Sequence, residues 1–278
     1  MESFVLTENR FVPLSCLDPN NRGFLYGDGF FETILVQSGA PLFWVTHKQR
    51  MILTADYLKL QHDEWHSLDI AVSSWLDEFA DDHPFLRWRI TVFRDGLGKY
   101  APEKNETKIV LNCEPLSHNP FCTSTSKTWE ISHQVHEAQL ADRFKLIGKH
   151  KQVLYAKEAL DRKLDDLLVF NSQDQLVEAV SGNVFVLMGN KWVTPPLSSG
   201  ALDGVIRKVL LEEEKAEEQH ISRVELLNAR KLFTTNAIEG IRGMNDITTG
   251  REIEMDELAL WLQGKAASSI LDFQENQP

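Results

Sequence analysis

Two stretches of mixed periodicity, separated by a segment that has neither period, restrict this chain to helices packed on sheets, built twice over. In the first stretch, residues 30–36 follow a strand pattern after the turn signal Gly27-Asp28-Gly29, and residues 87–93 and 108–112 repeat it. Between them, residues 48–60 and 70–79 place apolar side chains at helical spacing. The intervening segment is rich in Pro, Ser and Thr and reads as a linker. In the second stretch, residues 152–163 predict a helix, and 166–171 and 176–178 predict strands around the turn Ser172-Gln173-Asp174. Residues 184–188 and 191–194 predict a hairpin about Gly189-Asn190, since this pair readily takes positive φ. A long helix over 202–219, strongly charged toward its end, and further helices over 225–229 and 256–263 complete the pattern. The expected division is a small α+β domain over 1–115, a linker over 116–126 and a larger domain over 127–278.

Composition narrows what such a fold can do. A net charge of -12 argues against a nucleic-acid surface, because phosphate backbones require clustered Lys and Arg that carboxylates do not outnumber. No run approaches the ~20 apolar residues of a membrane-spanning helix, and the first residues lack the basic-then-apolar pattern of a secretion signal. A cytoplasmic protein is therefore expected. Cys16, Cys113 and Cys122 show no CxxC or mixed Cys/His spacing, so no disulfide framework or metal site is expected. Walker-type loops, GxSxG elbows and HExxH helices are all missing.

What remains is a set of polar residues in apolar, turn-rich contexts: Asp28 and Glu32, His47 and Arg50, Lys145, Glu178 and Asn183, and Gly204 before Arg207. They sit in ordered blocks, NRGFLYGDGFFET, HKQR, RDGLGKYAP, FKLIGKHKQVLYAKEAL, DDLLVFNSQDQLVEAVSGNVF, WVTPPLSSGALDGVIR and LFTTNAIEGI. In this order the blocks resemble the class IV aminotransferases, the fold-type IV group that includes branched-chain aminotransferases, D-amino acid transaminases and 4-amino-4-deoxychorismate lyases. The resemblance spans nearly the whole chain. It implies an α+β, two-domain fold, with a small N-terminal α/β domain and a larger C-terminal pseudo-barrel α/β domain that binds pyridoxal 5'-phosphate. It also implies a homodimer acting on a small amino substrate.

The resemblance also assigns roles. Its Schiff-base lysine precedes a Glu-Ala pair by about thirteen residues, and Glu158-Ala159 places that lysine at Lys145 rather than Lys149, Lys151 or Lys157. Phe144, Leu146 and Ile147 surround Lys145 with apolar side chains, a setting that favours the neutral, nucleophilic amine. Glu178 matches the carboxylate that keeps the pyridine nitrogen protonated. Arg50 matches the phosphate-binding arginine, and Gly204, Val205 and Ile206 the segment whose N–H groups hold the same phosphate at a helix start. Phe31, Lys99, Asn236 and Ala237 fall at substrate-side positions, and His47 and His150 are further candidates for contact.

The departures bear on substrate. Phe31 replaces a tyrosine of the D-amino acid transaminases, and Lys99-Tyr100 replaces their carboxylate-binding Arg and His. Gly148 and Gly243-Met244 also depart from common family residues. The TNxxxGI form at Thr235 to Ile241 is similar to the lyase-like members. The implied function is therefore a 4-amino-4-deoxychorismate lyase that yields 4-aminobenzoate, a folate precursor, and pyruvate. The alternatives are a branched-chain or other amino acid aminotransferase and, remotely, a binding protein that kept the fold.

Overall fold

The computed structural model describes residues 2–7, 9–62, 65–79, 83–123, 125–229, 231–245 and 257–276. It divides into two compact units, Met1–Asn119 with Lys145–Gly148 and Lys265–Pro278, and Pro120–Phe144 with Lys149–Gly264. The first unit thus takes in two segments that lie within the continuous 127–278 domain expected from sequence.

The first unit opens with β1 (Glu2–Thr7), β2 (Arg10–Pro13) and the short helix α1 (Arg22–Tyr26). Next come β3 (Gly29–Gln37), β4 (Ala40–Pro41), α2 (Trp44–Leu58), α3 (His66–Phe79), β5 (Phe85–Arg94) and β6 (Thr107–Pro115). The strands form one sheet in the order β2-β1-β6-β5-β3-β4, with every pairing antiparallel. Its alternation sends Phe30 and Ile34 of β3, with Trp88 and Ile90 of β5, into a core shared with Met51, Ala55, Leu68 and Val72 of the two helices. The buried stripe of α2 runs His47, Arg50, Met51, Thr54, Ala55, so the helical period carries two basic side chains into the interior one turn apart.

The chain enters the second unit at Pro120. Its elements are β7 (Trp129–His136), α4 (His150–Asp161), β8 (Asp166–Asn171), β9 (Leu176–Ala179), β10 (Asn183–Met188) and β11 (Lys191–Thr194). They are followed by α5 (Val205–Glu212), β12 (Glu217–Glu218), α6 (Arg223–Leu227), β13 (Leu232–Asn236) and β14 (Gly240–Gly243). The sheets β7-β8-β9 and β12-β11-β10-β13-β14 enclose one core, with Trp129, Leu168, Val184, Val186 and Leu232 among its members. β7 and β8 are parallel, which requires a crossover, and α4 supplies it. The hairpin about Gly189-Asn190 forms as expected, with Met188 opposite Lys191. A last helix, α7 (Glu257–Glu275), begins after the undescribed residues 246–256, so the first residue of the helix expected over 256–263 lies outside the described ones.

One expected element is corrected. The helix predicted over 202–219 exists only as α5, which ends at Glu212. Carboxylates crowd positions 212–214 and 217–218, Glu214 adopts a left-handed φ of 52°, and Glu218 pairs with the buried Arg207 while β12 joins β11 in parallel. Like charges one turn apart weaken a helix, and the ion pair and strand pairing draw the chain elsewhere.

Candidate active site

Lys145 is held by an isolated bridge to β3. Its carbonyl accepts the N–H of Phe31 at 3.0 Å, the N–H of Ile147 donates to Gly29 at 3.0 Å, and Leu146 pairs with Phe30. This register puts Phe30, Glu32 and Ile34 on the core face and Lys145 with Phe31 on the other. The Lys145 Nζ lies 5.2 Å from the centroid of the Phe31 ring. The guanidinium of Arg89 lies over the same ring at 3.6 Å, a cation–π contact on a half-buried arginine whose pKa is lowered by burial and by Arg87. The sequence reading missed Arg89. The signal was the Arg-Trp-Arg run at 87–89, in which Trp88 takes the core and the arginines the opposite face.

On the core face lies a buried charge cluster. Arg50 donates from Nε to Glu32 Oε1 at 2.8 Å and from Nη2 to Oε2 at 2.5 Å, and His47 Nδ1 bonds the same Oε2 at 2.7 Å. Burial alone would raise the Glu32 carboxyl, but Arg50 and His47 outweigh it and hold it far below the usual carboxylate range. Burial pushes His47 below its ordinary value of 6.5, against the pull of Glu32. Its Nε2 is buried with no hydrogen-bond partner. His150, by contrast, is exposed at the start of α4. Lys99 is exposed on its loop, where its carbonyl accepts from Arg22 at 2.7 Å.

In the second unit Glu178, on β9, receives the N–H of Leu202 at 3.0 Å on Oε2. Burial pushes its carboxyl up, while Leu202, Lys149 and His136 pull the other way. A buried carboxylate of this kind suits a cationic ring nitrogen, which would keep it ionised. The Leu202 to Gly204 segment leads into α5, whose N-cap Gly204 is extended and offers no side-chain cap, leaving the helix's first N–H groups to an anion. A Cβ at Gly204 would stand 1.9 Å from Asn183 Oδ1, so a larger residue would have to displace the Asn183 amide from Leu202 O. Asn236 is consumed by its own turn: Oδ1 accepts from Ile238 and Glu239 N–H at 3.0 and 2.7 Å, and Nδ2 donates to Ser181 O and Glu239 Oε2. Ala237 follows in that turn, between β13 and β14. Among the described residues no group of three or more His, Cys, Asp or Glu is arranged to hold a metal ion.

Comparisons with known proteins agree with this architecture. The family model for amino-transferase class IV matches residues 29–247. The aminodeoxychorismate lyase of Vibrio harveyi is 26% identical over 251 residues, covering 85% of this chain and 89% of its own. A probable branched-chain-amino-acid aminotransferase of Thermotoga maritima is 24% identical over 258 residues, covering 88% of each chain. The crystal structure of 4-amino-4-deoxychorismate lyase from Pseudomonas aeruginosa superposes with a TM-score of 0.80 at 23% identity, over 96% of this chain and 98% of that one. The chain belongs to the class IV aminotransferase family. It is accordingly a pyridoxal-phosphate-dependent enzyme of the lyase and aminotransferase kind, as the ordered motifs implied.

Proposed function

We propose that this enzyme cleaves 4-amino-4-deoxychorismate to 4-aminobenzoate and pyruvate, with Lys145 as its catalytic residue. The observation that carries the reading is the placement of Lys145, its backbone paired to β3 beside the Phe31 ring that Arg89 also contacts, in a chain whose lyase-named relative matches it over 85% of its length. The bound cofactor supplies an electron sink for the carbon that bears the substrate's amine. Lys145 would hold the cofactor at its aldehyde, and its amine would move the proton at that carbon as general acid and base. Glu178 would keep the ring nitrogen protonated, the N–H groups of Val205 and Ile206, opened by Gly204, would suit the phosphate, and the HKQR motif gives Arg50 the role of phosphate-binding arginine. Phe31 and Arg89 wall the substrate side, where a guanidinium suits a substrate carboxylate. The backbone of the Asn236-Ala237 turn and Lys99 are further substrate-side groups.

The test is a purified-protein assay with 4-amino-4-deoxychorismate beside a panel of L- and D-amino acids with an oxoacid acceptor. Release of pyruvate with 4-aminobenzoate is the expected result. Transamination of branched-chain substrates without lyase turnover would select the second reading, which the Thermotoga maritima relative supports.

The proposed enzyme is cytoplasmic and homodimeric. Among the described residues no helix is long and apolar enough to cross a membrane. The first unit exposes Phe24 (75%), Leu97 (56%) and Tyr100 (91%), and the Tyr100 ring lies 5.9 Å from that of the exposed Tyr26. Paired exposed aromatic rings such as Tyr26 and Tyr100 suit an interaction surface. Light scattering at micromolar concentration is expected to give twice the 31.8 kDa chain mass, and Tyr100→Glu to shift it toward the monomer. A wild-type monomer with full activity would rule the dimer out.

A further inference from the structure

The second unit holds a chain of three polar side chains that the proposed reaction leaves unused: Asp142, His136 and Tyr155. His136, the last residue of β7, is 1% exposed and bonds at both ring nitrogens, Nε2 with Asp142 Oδ2 at 2.9 Å and Nδ1 with the Tyr155 hydroxyl at 3.2 Å. Burial would raise the Asp142 carboxyl, but the bonds from His136 and from the Gln139 N–H hold it below its ordinary value. An ionised carboxylate only accepts, so Nε2 carries the proton and Nδ1 is left to take the Tyr155 O–H. Tyr155, on α4, is itself buried, and burial followed by Glu178 pushes its phenol up, which keeps it a neutral donor. Both nitrogens of the imidazole are thus engaged, and the ring is fixed in one orientation. Its edge bears on the segment that serves Glu178. Gly200 sits at a left-handed φ of 103°, and a Cβ there would stand 2.7 Å from His136 Nε2, so the backbone lies directly on the ring. Two residues on, Leu202 donates its N–H to Glu178 Oε2 at 3.0 Å, and Asp203 donates to the carbonyl of Arg143, the neighbour of Asp142, at 3.1 Å. Gly200 to Asp203 is therefore held at both ends by the stretch that carries His136 and Asp142, with the Leu202 N–H between.

We infer that His136 is a positioning residue for Glu178: Asp142 and Tyr155 orient its ring, the ring sets the course of Gly200 to Leu202, and the Leu202 N–H then fixes the direction of the Glu178 carboxylate. The inference rests on the reading of Glu178 as the partner of the cofactor's ring nitrogen and adds what holds it there. A carboxylate that must meet one ring N–H to within roughly 0.5 Å depends on neighbours that lock its rotamer. A misdirected Glu178 loses that one charge-assisted bond and leaves the contacts to the rest of the cofactor in place, so the penalty falls only on a ligand that has the ring nitrogen.

The experiment measures, by fluorescence titration of the cofactor-free full chain, the dissociation constants of pyridoxal 5'-phosphate and of its 1-deaza analogue, in which a C–H replaces the ring nitrogen. Their ratio isolates the Glu178 contact. His136→Phe keeps a ring against Gly200 and removes both hydrogen bonds. It is expected to cut the preference for the nitrogen-bearing ligand by about 10-fold, the lower end for a hydrogen bond to a charged group, and to leave the analogue's affinity unchanged. Asp142→Asn, which leaves the imidazole in place and frees its orientation, is expected to lower the preference in the same sense, and it decides the matter if His136→Phe does not fold. Equal loss for both ligands would make His136 a packing residue, and an unchanged preference would disconnect it from Glu178; either result overturns the inference. A Glu178→Gln variant that keeps the wild-type preference would instead overturn the reading of Glu178 itself.

Discussion

Lys145→Ala is expected to abolish turnover, a loss on the order of 10³-fold or more, while the first unit stays folded. The magnitude follows from what the residue supplies. Positioned proton transfer alone contributes about 10²- to 10⁴-fold, and removing the amine also removes the covalent anchor. The fold is expected to survive because the backbone of residues 145–147, not the ammonium, pairs with β3. Neighbouring lysines make the measurement decisive. Lys149 Nζ donates to Phe144 O at 3.2 Å and Lys151 Nζ to Glu137 O at 2.9 Å, so both are engaged in structure. Lys151→Ala should retain near wild-type turnover and the absorbance of the lysine-bound cofactor, and Lys145→Ala should lose both. Borohydride reduction followed by peptide mapping should place the pyridoxyl group on Lys145. Finding it on Lys149 or Lys151 would show the motif alignment to be shifted.

The parts of this site that local patterns encode were legible, and those that depend on register were not. Lys145, Glu178 and Gly204 stand in ordered motifs, and His47 and Arg50 fall three residues apart within a helical period, so each was open to inspection. Arg89 was not, because it acquires its meaning only from a neighbour on another strand, across β3 onto Phe31. The same limit explains residues 145–148, whose grouping with the first unit comes from pairing with β3, over a hundred positions earlier in the sequence. The helix over 202–219 failed for a different reason. Its apolar spacing was read past Glu212, where charge repulsion and the Arg207–Glu218 pair end it. Strands β13 and β14 were hidden within a stretch read as a motif, and the short edge strand β12 within a charge run.

Removing the Glu32 carboxylate is expected to cause the largest loss of stability. Glu32 is 1% exposed, Arg50 7% and His47 0%, so replacing the acid strands a guanidinium and an imidazole in the interior. Breaking a buried pair from one side costs about 3–5 kcal/mol, because the remaining charge loses its partner without regaining water. Glu32→Ala should therefore lower Tm by roughly 6–20 °C at pH 7. Glu32→Gln, which keeps the shape but not the charge, should recover only part of that. The pH dependence fixes the cause. The carboxyl is held below its ordinary value of 4.5, so its contribution is fully present above that value and fades as pH falls through and below it. The difference in Tm between wild type and Glu32→Gln should thus be constant above about pH 6 and begin to narrow below 4.5. His47, lowered from 6.5 by burial, acts in the same direction, since the unfolded chain takes up its proton first as pH falls. Scanning calorimetry between pH 3.5 and 8 makes the comparison, with both pH limits set about the ordinary carboxylate and histidine values. A Tm for Glu32→Gln equal to wild type at pH 7 would mean that Arg50 and His47 find other partners, and the cluster would not be what positions Arg50.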